Sequence, residues 1–297
     1  MEKMKFRGHE TFFIRKGWLN KGIRNILKDP YVFMGVNGNP SDILGLGTNM
    51  VKSLRYWLQV VGLTREKMVG KKMQELTEVG VLINENDPYI EEFGTLALLH
   101  YFLATNSENA TTWYFFFNVF KNIEFTKDEL KTQLKNYINI KGKIEVSERV
   151  LEDDCACLLN TYIPRIKSST TKVTPENNID CPLGELNLID IVNKKEKIYK
   201  KAPILIENLN PLIVLAMILY EYPNKKEIKI SALLSEERGI GKLFNLDIIN
   251  LLKLLYSLER KNYIKVVRTA GLDVIRVTKD IDYLQCISEY YNSMKNN

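Results

Sequence analysis

Near the start of the chain, Arg7-Gly8-His9-Glu10-Thr11 is followed by Arg15, Lys16, Trp18 and Lys21. A His–Glu pair beside arginine and lysine is equipped for general acid–base work at a phosphodiester, or for holding a divalent ion. The same pair can instead act as a lock, with His9 and Glu10 bonded to backbone and the basic residues left to touch phosphate. Adjacent carboxylates occur at Asp153 and Asp154, on a predicted helix. Further acids stand at Asp180 and Glu185, and Glu227-Ile228-Lys229 supplies an E-x-K triplet. None of these has a diagnostic partner spacing, and such triplets arise by chance in a chain rich in lysine and glutamate. The catalytic residues are therefore unknown from sequence, with His9, Glu10, Asp153 and Asp154 as the candidates. No residue set is assigned to a metal; Mg²⁺ or Mn²⁺ would enter only if the chain cuts DNA. P-loop, GxGxxG, GxSxG and HxE…CxxC signatures are absent. The second histidine, His100, stands within LALLHYFLA and reads as a core residue.

The segment Ser41–Val61, SDILGLGTNMVKSLRYWLQVV, is richer in information. Met50, Leu54, Trp57, Leu58 and Val61 recur at helical spacing and predict one buried stripe. Asn49, Lys52, Ser53, Tyr56 and Gln59 fall on the other side, flanked by Arg55. A short helix, a glycine turn and a helix with these side chains forward is what a helix-turn-helix offers to a major groove. Asn, Gln and Arg pair with base edges, while Lys and Ser hold phosphates. An ordinary amphipathic helix with a solvated polar face would show the same pattern.

Charge favours the nucleic-acid reading. Residues 1–72 hold 14 Lys/Arg against 5 Asp/Glu, a net of +9 inside a chain of net +6. A cationic block of that size concentrates polyanions at its surface. The expected contacts are Arg7, Arg15, Lys16, Lys21, Asn49, Lys52, Ser53, Arg55 and Tyr56.

The elements that must position these residues are mostly helical. An extended start leads to a helix over Trp18–Lys28, stopped by Asp29-Pro30. Ser41 is expected to cap a short helix before the turn Gly45-Leu46-Gly47, and the helix from Thr48 follows. Another helix is expected near Arg65–Thr77 and a short strand at Gly80–Ile83. Two aromatic-rich helices between Thr95 and Phe120 should form core, followed by helices at Lys127–Tyr137 and Glu148–Tyr162. After a polar stretch at Pro164–Asn178, a helix over Pro211–Tyr220 precedes a strand at Ile228–Ile230 and a helix from Ser231. A longer helix over Leu246–Arg260, capped by Asn245, leads to a hairpin of Tyr263–Thr269 and Leu272–Thr278. The fold class is mainly α with small β. It comprises a helix-turn-helix or winged-helix N-terminal region, a central helical domain and a C-terminal winged helix. The expected boundaries are 1–90, 91–205 with a linker near 164–178, and 206–297. The cations of the last domain, Lys253, Arg260, Lys265, Arg268 and Arg276, are opposed by Asp247 and Glu259, so protein docking suits it as well as DNA does.

No apolar run is long enough to span a bilayer, and the start lacks the apolar core of a secretory signal. Cys155, Cys157, Cys181 and Cys286 form no CxxC pair. These features predict a cytoplasmic protein without membrane contact.

Several blocks, HETFFIRKGWLNKG, LGLGTNMVKSLRYW, LTEVGVLINENDPYIEE, TLALLHYFL, LEDDCACLLNTY and IDCPLGELNLI, resemble the bacterial domain of unknown function 4007 family over nearly the whole chain. The resemblance implies a place in DNA phosphorothioate modification and phage-defence systems. There a sulfurtransferase or reductase-like enzyme and an ATPase would be partners. It also implies double-stranded DNA as ligand, met by the matching Asn49, Lys52, Ser53, Arg55 and Tyr56, then by His9, Glu10, Thr11 and Arg15. The expected function is a DNA-binding component that recruits sulfur-transfer partners. A metal-dependent DNA nickase and a protein-docking scaffold are the alternatives.

Overall fold

Apolar residues of Trp18–Lys28 at positions 18, 19, 23 and 26 give the first helix, α1, one buried face. It ends where Asp29 turns to extended backbone ahead of Pro30. A short helix, α2 (Pro40–Leu44), carries proline in its first turn and is capped by the Asn39 side chain, not by Ser41. Helix α3 (Thr48–Val60) follows and buries Leu54, Trp57 and Leu58 completely. The computed structural model describes residues 3–141, 144–163, 181–269 and 272–295. The segment expected as a linker, 164–178, lies outside the described residues.

Two expectations fail directly after α3. The predicted helix at Arg65–Thr77 is an antiparallel hairpin, β1 (Thr64–Val69) and β2 (Lys71–Leu76), turned at Gly70 with φ 67°. Lysine, glutamate and methionine favour a helix locally. The buried pair Thr64 and Gln74 and the left-handed glycine overrule that preference. The predicted strand at Gly80–Ile83 lies within helix α4 (Glu78–Asn86), whose cap is the Thr77 side chain accepting from the Gly80 N–H. A short apolar run does not distinguish strand from helix; the cap does.

Helices α5 (Phe93–Thr105) and α6 (Thr111–Asn118) are buried nearly all round, and their aromatics form core as expected. Strand β3 (Glu124–Thr126) leads into α7 (Lys127–Lys141), and α8 (Glu148–Tyr162) packs on α7. Strands β4 (Ile189–Asn193) and β5 (Ile198–Lys201) join β3 in an antiparallel sheet of order β3-β5-β4 that the residue pattern did not signal.

Helix α9 (Pro211–Glu221), strand β6 (Glu227–Lys229) and helices α10 (Ile230–Ser235), α11 (Ile240–Leu243) and α12 (Ile248–Arg260) come next. Strands β7 (Ile264–Thr269) and β8 (Leu272–Val277) complete a sheet of order β6-β8-β7. The cap of α12 is Asp247, which accepts from the Asn250 N–H. Asn245 adopts a left-handed backbone and bonds the carbonyls of Leu188 and Ala202 instead. A last helix, α13 (Tyr283–Lys295), had no sequence prediction; it packs against α9 and α4. The fold is mainly α with small sheets. Among the described residues no helix is long and apolar enough to cross a membrane.

Candidate nucleic-acid interface

His9 is fully buried between α3 and α8. Its Nδ1 accepts from the Thr11 N–H at 3.1 Å, so Nε2 carries the proton and donates to Asp154 Oδ1 at 2.9 Å. Asp154 also receives the Arg7 N–H at 2.8 Å and the Thr112 hydroxyl at 2.7 Å. With every partner a donor, the carboxylate is satisfied as an anion. The pair is a buried bolt between the N-terminal segment and α8, with neither ring nitrogen nor carboxylate open to a substrate. Asp153, its neighbour, faces the Arg7 guanidinium at 3.3 Å. Of the four catalytic candidates, three are thus engaged in joining segments; Glu10, the fourth, is half-buried.

The turn that carries these residues is strained. Arg7, Glu10 and Thr11 all have positive φ, at 54°, 48° and 70°. Gly8 lies against the Tyr56 ring, where an added Cβ would come within 2.6 Å of ring carbons. This close approach seats the segment on α3 and opens a cleft beside it.

The cleft has a volume of about 310 Å³ and is lined by Lys5, Gly8, Glu10, Lys52, Arg55, Tyr56, Gln59, Glu66 and Lys72. Four cations thus face two carboxylates across one opening. Arg55 donates to Glu66 through Nε at 3.1 Å and through Nη2, and Lys72 Nζ lies 3.2 Å from the other oxygen. Gln74 Nε2 adds a bond at 2.9 Å. Burial alone would raise the Glu66 carboxyl, but the hydrogen bonds from Arg55 and Lys72 outweigh it and hold it below the usual range. Lys5 moves down, through burial first and then through Lys3, Arg55 and Lys72 nearby. A lysine depressed by its cationic neighbours gains from an anion placed beside it.

The cleft gathers Glu10, Lys52, Arg55 and Tyr56 from the expected set. Asn49 and Lys52 are exposed on α3, as the helix pattern required. Ser53 and Tyr56 are not on the solvent face: Ser53 Oγ donates to the Phe12 carbonyl at 3.3 Å and Tyr56 to the Asn109 carbonyl at 2.9 Å, both side chains buried. A period of 3.6 assigns a face, but the N-terminal segment and α6 cover more of α3 than that face predicts. The remaining cations point elsewhere. Arg15 stacks on Phe12 and Trp18, Lys16 pairs with Glu91 at 3.3 Å, and Lys21 donates to the Leu44 carbonyl at 3.1 Å. Sequence reasoning missed Lys5, Glu66 and Lys72. Lys5 stood inside the counted basic block, whereas Lys72 and Glu66 reach the cleft only because their segment is a hairpin.

The family model described as "Protein of unknown function (DUF4007)" matches residues 6–291. The chain belongs to this family. No curated protein matches it. Two crystal structures of SspB, one of them magnesium ion-bound, share the DUF4007 chain's fold with TM-scores of 0.84 and 0.83. Each is 23% identical to it, covering 99% of this chain and 89% of the SspB chain. Magnesium prefers several oxygen ligands with carboxylates among them. Among the described residues of this DUF4007 chain, no three His, Cys, Asp or Glu side chains gather to hold a metal ion. Glu10 and Glu66 share the cleft, but Glu66 is already bonded to Arg55, Lys72 and Gln74. Within the cleft, Glu10 and an already engaged Glu66 do not by themselves make a set that fits a divalent cation.

Proposed function

We propose that the chain is the duplex-DNA-binding component of a bacterial DNA phosphorothioate modification and phage-defence system, bringing sulfur-transfer partners to their site. The observation that carries this reading is the cleft where Lys5, Lys52, Arg55 and Lys72 face one opening, set in the segment of net charge +9. In this reading helix α3 enters the major groove, Asn49 meets base edges and Lys52 meets phosphate. A phosphate in the cleft displaces Glu66 from Arg55, exchanging one anion for another that a guanidinium also binds. The order α2, α3, β1, β2 is then a winged helix, and α9 to β8 is a second one that receives the reductase-like enzyme or the ATPase.

The thiols favour recruitment over sulfur transfer by this chain. Cys155, Cys157, Cys181 and Cys286 are all buried. Burial pushes the Cys155 and Cys157 thiols upward and the Cys286 thiol to about 12, so these three stay protonated and poorly nucleophilic. The deciding experiment incubates purified protein with supercoiled plasmid and Mg²⁺ or Mn²⁺. A salt-sensitive mobility shift without open circles is expected. Failure to shift plasmid even at low salt overturns the reading, and metal-dependent open circles that track the protein through purification would replace it with nicking.

A further inference from the structure

Beyond Glu66 the β1–β2 hairpin leaves the body of the protein. Its inner rungs are held by buried Thr64 and Gln74 and by the bonds that converge on Glu66. Its outer rungs are exposed, and two of the side chains there are apolar: Met68 is 71% exposed and Val69 56%. A single exposed methionine is ordinary on any surface. This one is distinguished by its place in the register. Glu66 pairs with Gln74 and Met68 with Lys72, so strand alternation puts these four on one face. Glu66 and Lys72 line the cleft. Met68 is therefore the next residue outward on the cleft's own wall, roughly 7 Å beyond Glu66 at the rise of a strand. Lys71 flanks it on the opposite face of the tip, with no ion pair among the described residues.

An apolar side chain at the mouth of a cationic cleft, on a projecting two-stranded tip, has the form of a wedge. Cations alone would hold a phosphate chain without reading or deforming it. Methionine next to that chain can enter the minor groove and push a pair of stacked bases apart, a deformation repaid by the wider contact that bent DNA makes. We infer that Met68 is such a wedge: it enters the minor groove beside the phosphate held by the cleft, opens one base step and bends the duplex. This rests on the DNA-binding reading and adds to it how the duplex is deformed.

The test uses the full chain and a short duplex carrying fluorophores at its ends, with 2-aminopurine placed at successive steps. Wild-type protein should shorten the end-to-end distance and raise 2-aminopurine emission at one step. Met68→Ala, at an exposed position that leaves folding intact, should abolish both signals and weaken binding about five- to tenfold. Met68→Leu should restore them, because volume and apolarity carry the effect. The dependence of log K on log salt should stay the same in both variants, since no charge is altered. A wild-type complex with straight, fully stacked DNA overturns the wedge, as does a Met68→Ala complex that bends and unstacks like wild type. Lys52→Ala separates the two readings. If it weakens wild-type binding and flattens the salt dependence while Met68→Ala changes nothing, the wedge fails and DNA binding stands.

Discussion

The two histidines of the chain sit at corresponding joints, and they are built on opposite principles. His9 fastens the unit of α1 to α3 and the β1–β2 hairpin to α8, through an anionic partner, Asp154, that collects three donors. His100, on α5, fastens the other unit. Its Nε2 donates to the Leu243 carbonyl of α11 at 2.8 Å, and its Nδ1 accepts from the Tyr162 hydroxyl of α8 at 2.7 Å. The first joint contains a buried charge and the second contains none. The surfaces differ as well. On α3 the exposed residues include Asn49 and Lys52, and Lys71 stands free of ion pairs on the hairpin tip among the described residues. On α12 they include Ile248, Ile249 and Tyr256, and the nearby hairpin arginines are already occupied, Arg268 by Asp273 and Arg276 by Glu227. Two stretches of the chain with a similar order of helices and hairpin therefore present different chemistry. Function follows the surface and not the order of elements.

The ionic joint should be the costlier one to break. Asp154→Ala leaves the buried His9 ring and Thr112 hydroxyl, and the Arg7 N–H, without their acceptor, and should lower stability by about 3–5 kcal/mol in urea denaturation. Asp153→Ala, one residue away and partly exposed, should cost less than about 1 kcal/mol. Equal losses at the two positions would mean that the bolt is not where the stability lies.

The neutral joint should be the one that responds to acid. Burial holds His100 down at about 4 against an ordinary 6.5, with the Leu243 carbonyl opposing that shift. Between these values the unfolded chain takes up a proton that the folded chain refuses. The contribution is complete above the ordinary value and is lost as pH falls toward 4, by at most about 3 kcal/mol. Denaturation midpoints measured across this window should fall more steeply for wild type than for His100→Gln. Parallel curves would remove His100 as the source.

The contrast between surfaces predicts smaller effects. Lys52→Ala should weaken DNA binding several-fold on every sequence and flatten the log K against log salt slope by roughly one unit. Lys253→Ala and Arg260→Ala, on α12, should change neither. A reversed result would make the second unit the DNA reader. Point substitutions suit this comparison better than deletion of the second unit, because α13 packs against α4 and its removal would open the core around the first. The smallest effect is expected at Arg268→Ala, where a half-exposed pair with Asp273 should be worth no more than about 1 kcal/mol of stability.

What the sequence determined by itself is what depends on neighbours along the chain. Periodicity placed α1, α3, α5, α6 and α8, because a helix buries one face through residues three and four apart. It also put Trp57 in the core and Lys52 outside, and the count of charges located the basic block. The residues could not say which cations meet. Gly8 against Tyr56, His9 against Asp154 and Glu66 between Arg55 and Lys72 all join distant segments or rest on a hairpin that local preference read as a helix. The cleft is therefore a product of tertiary structure. Its charges were legible in the chain, but their convergence depended on long-range burial and strand register, which overrule local propensity once side chains compete for one interior.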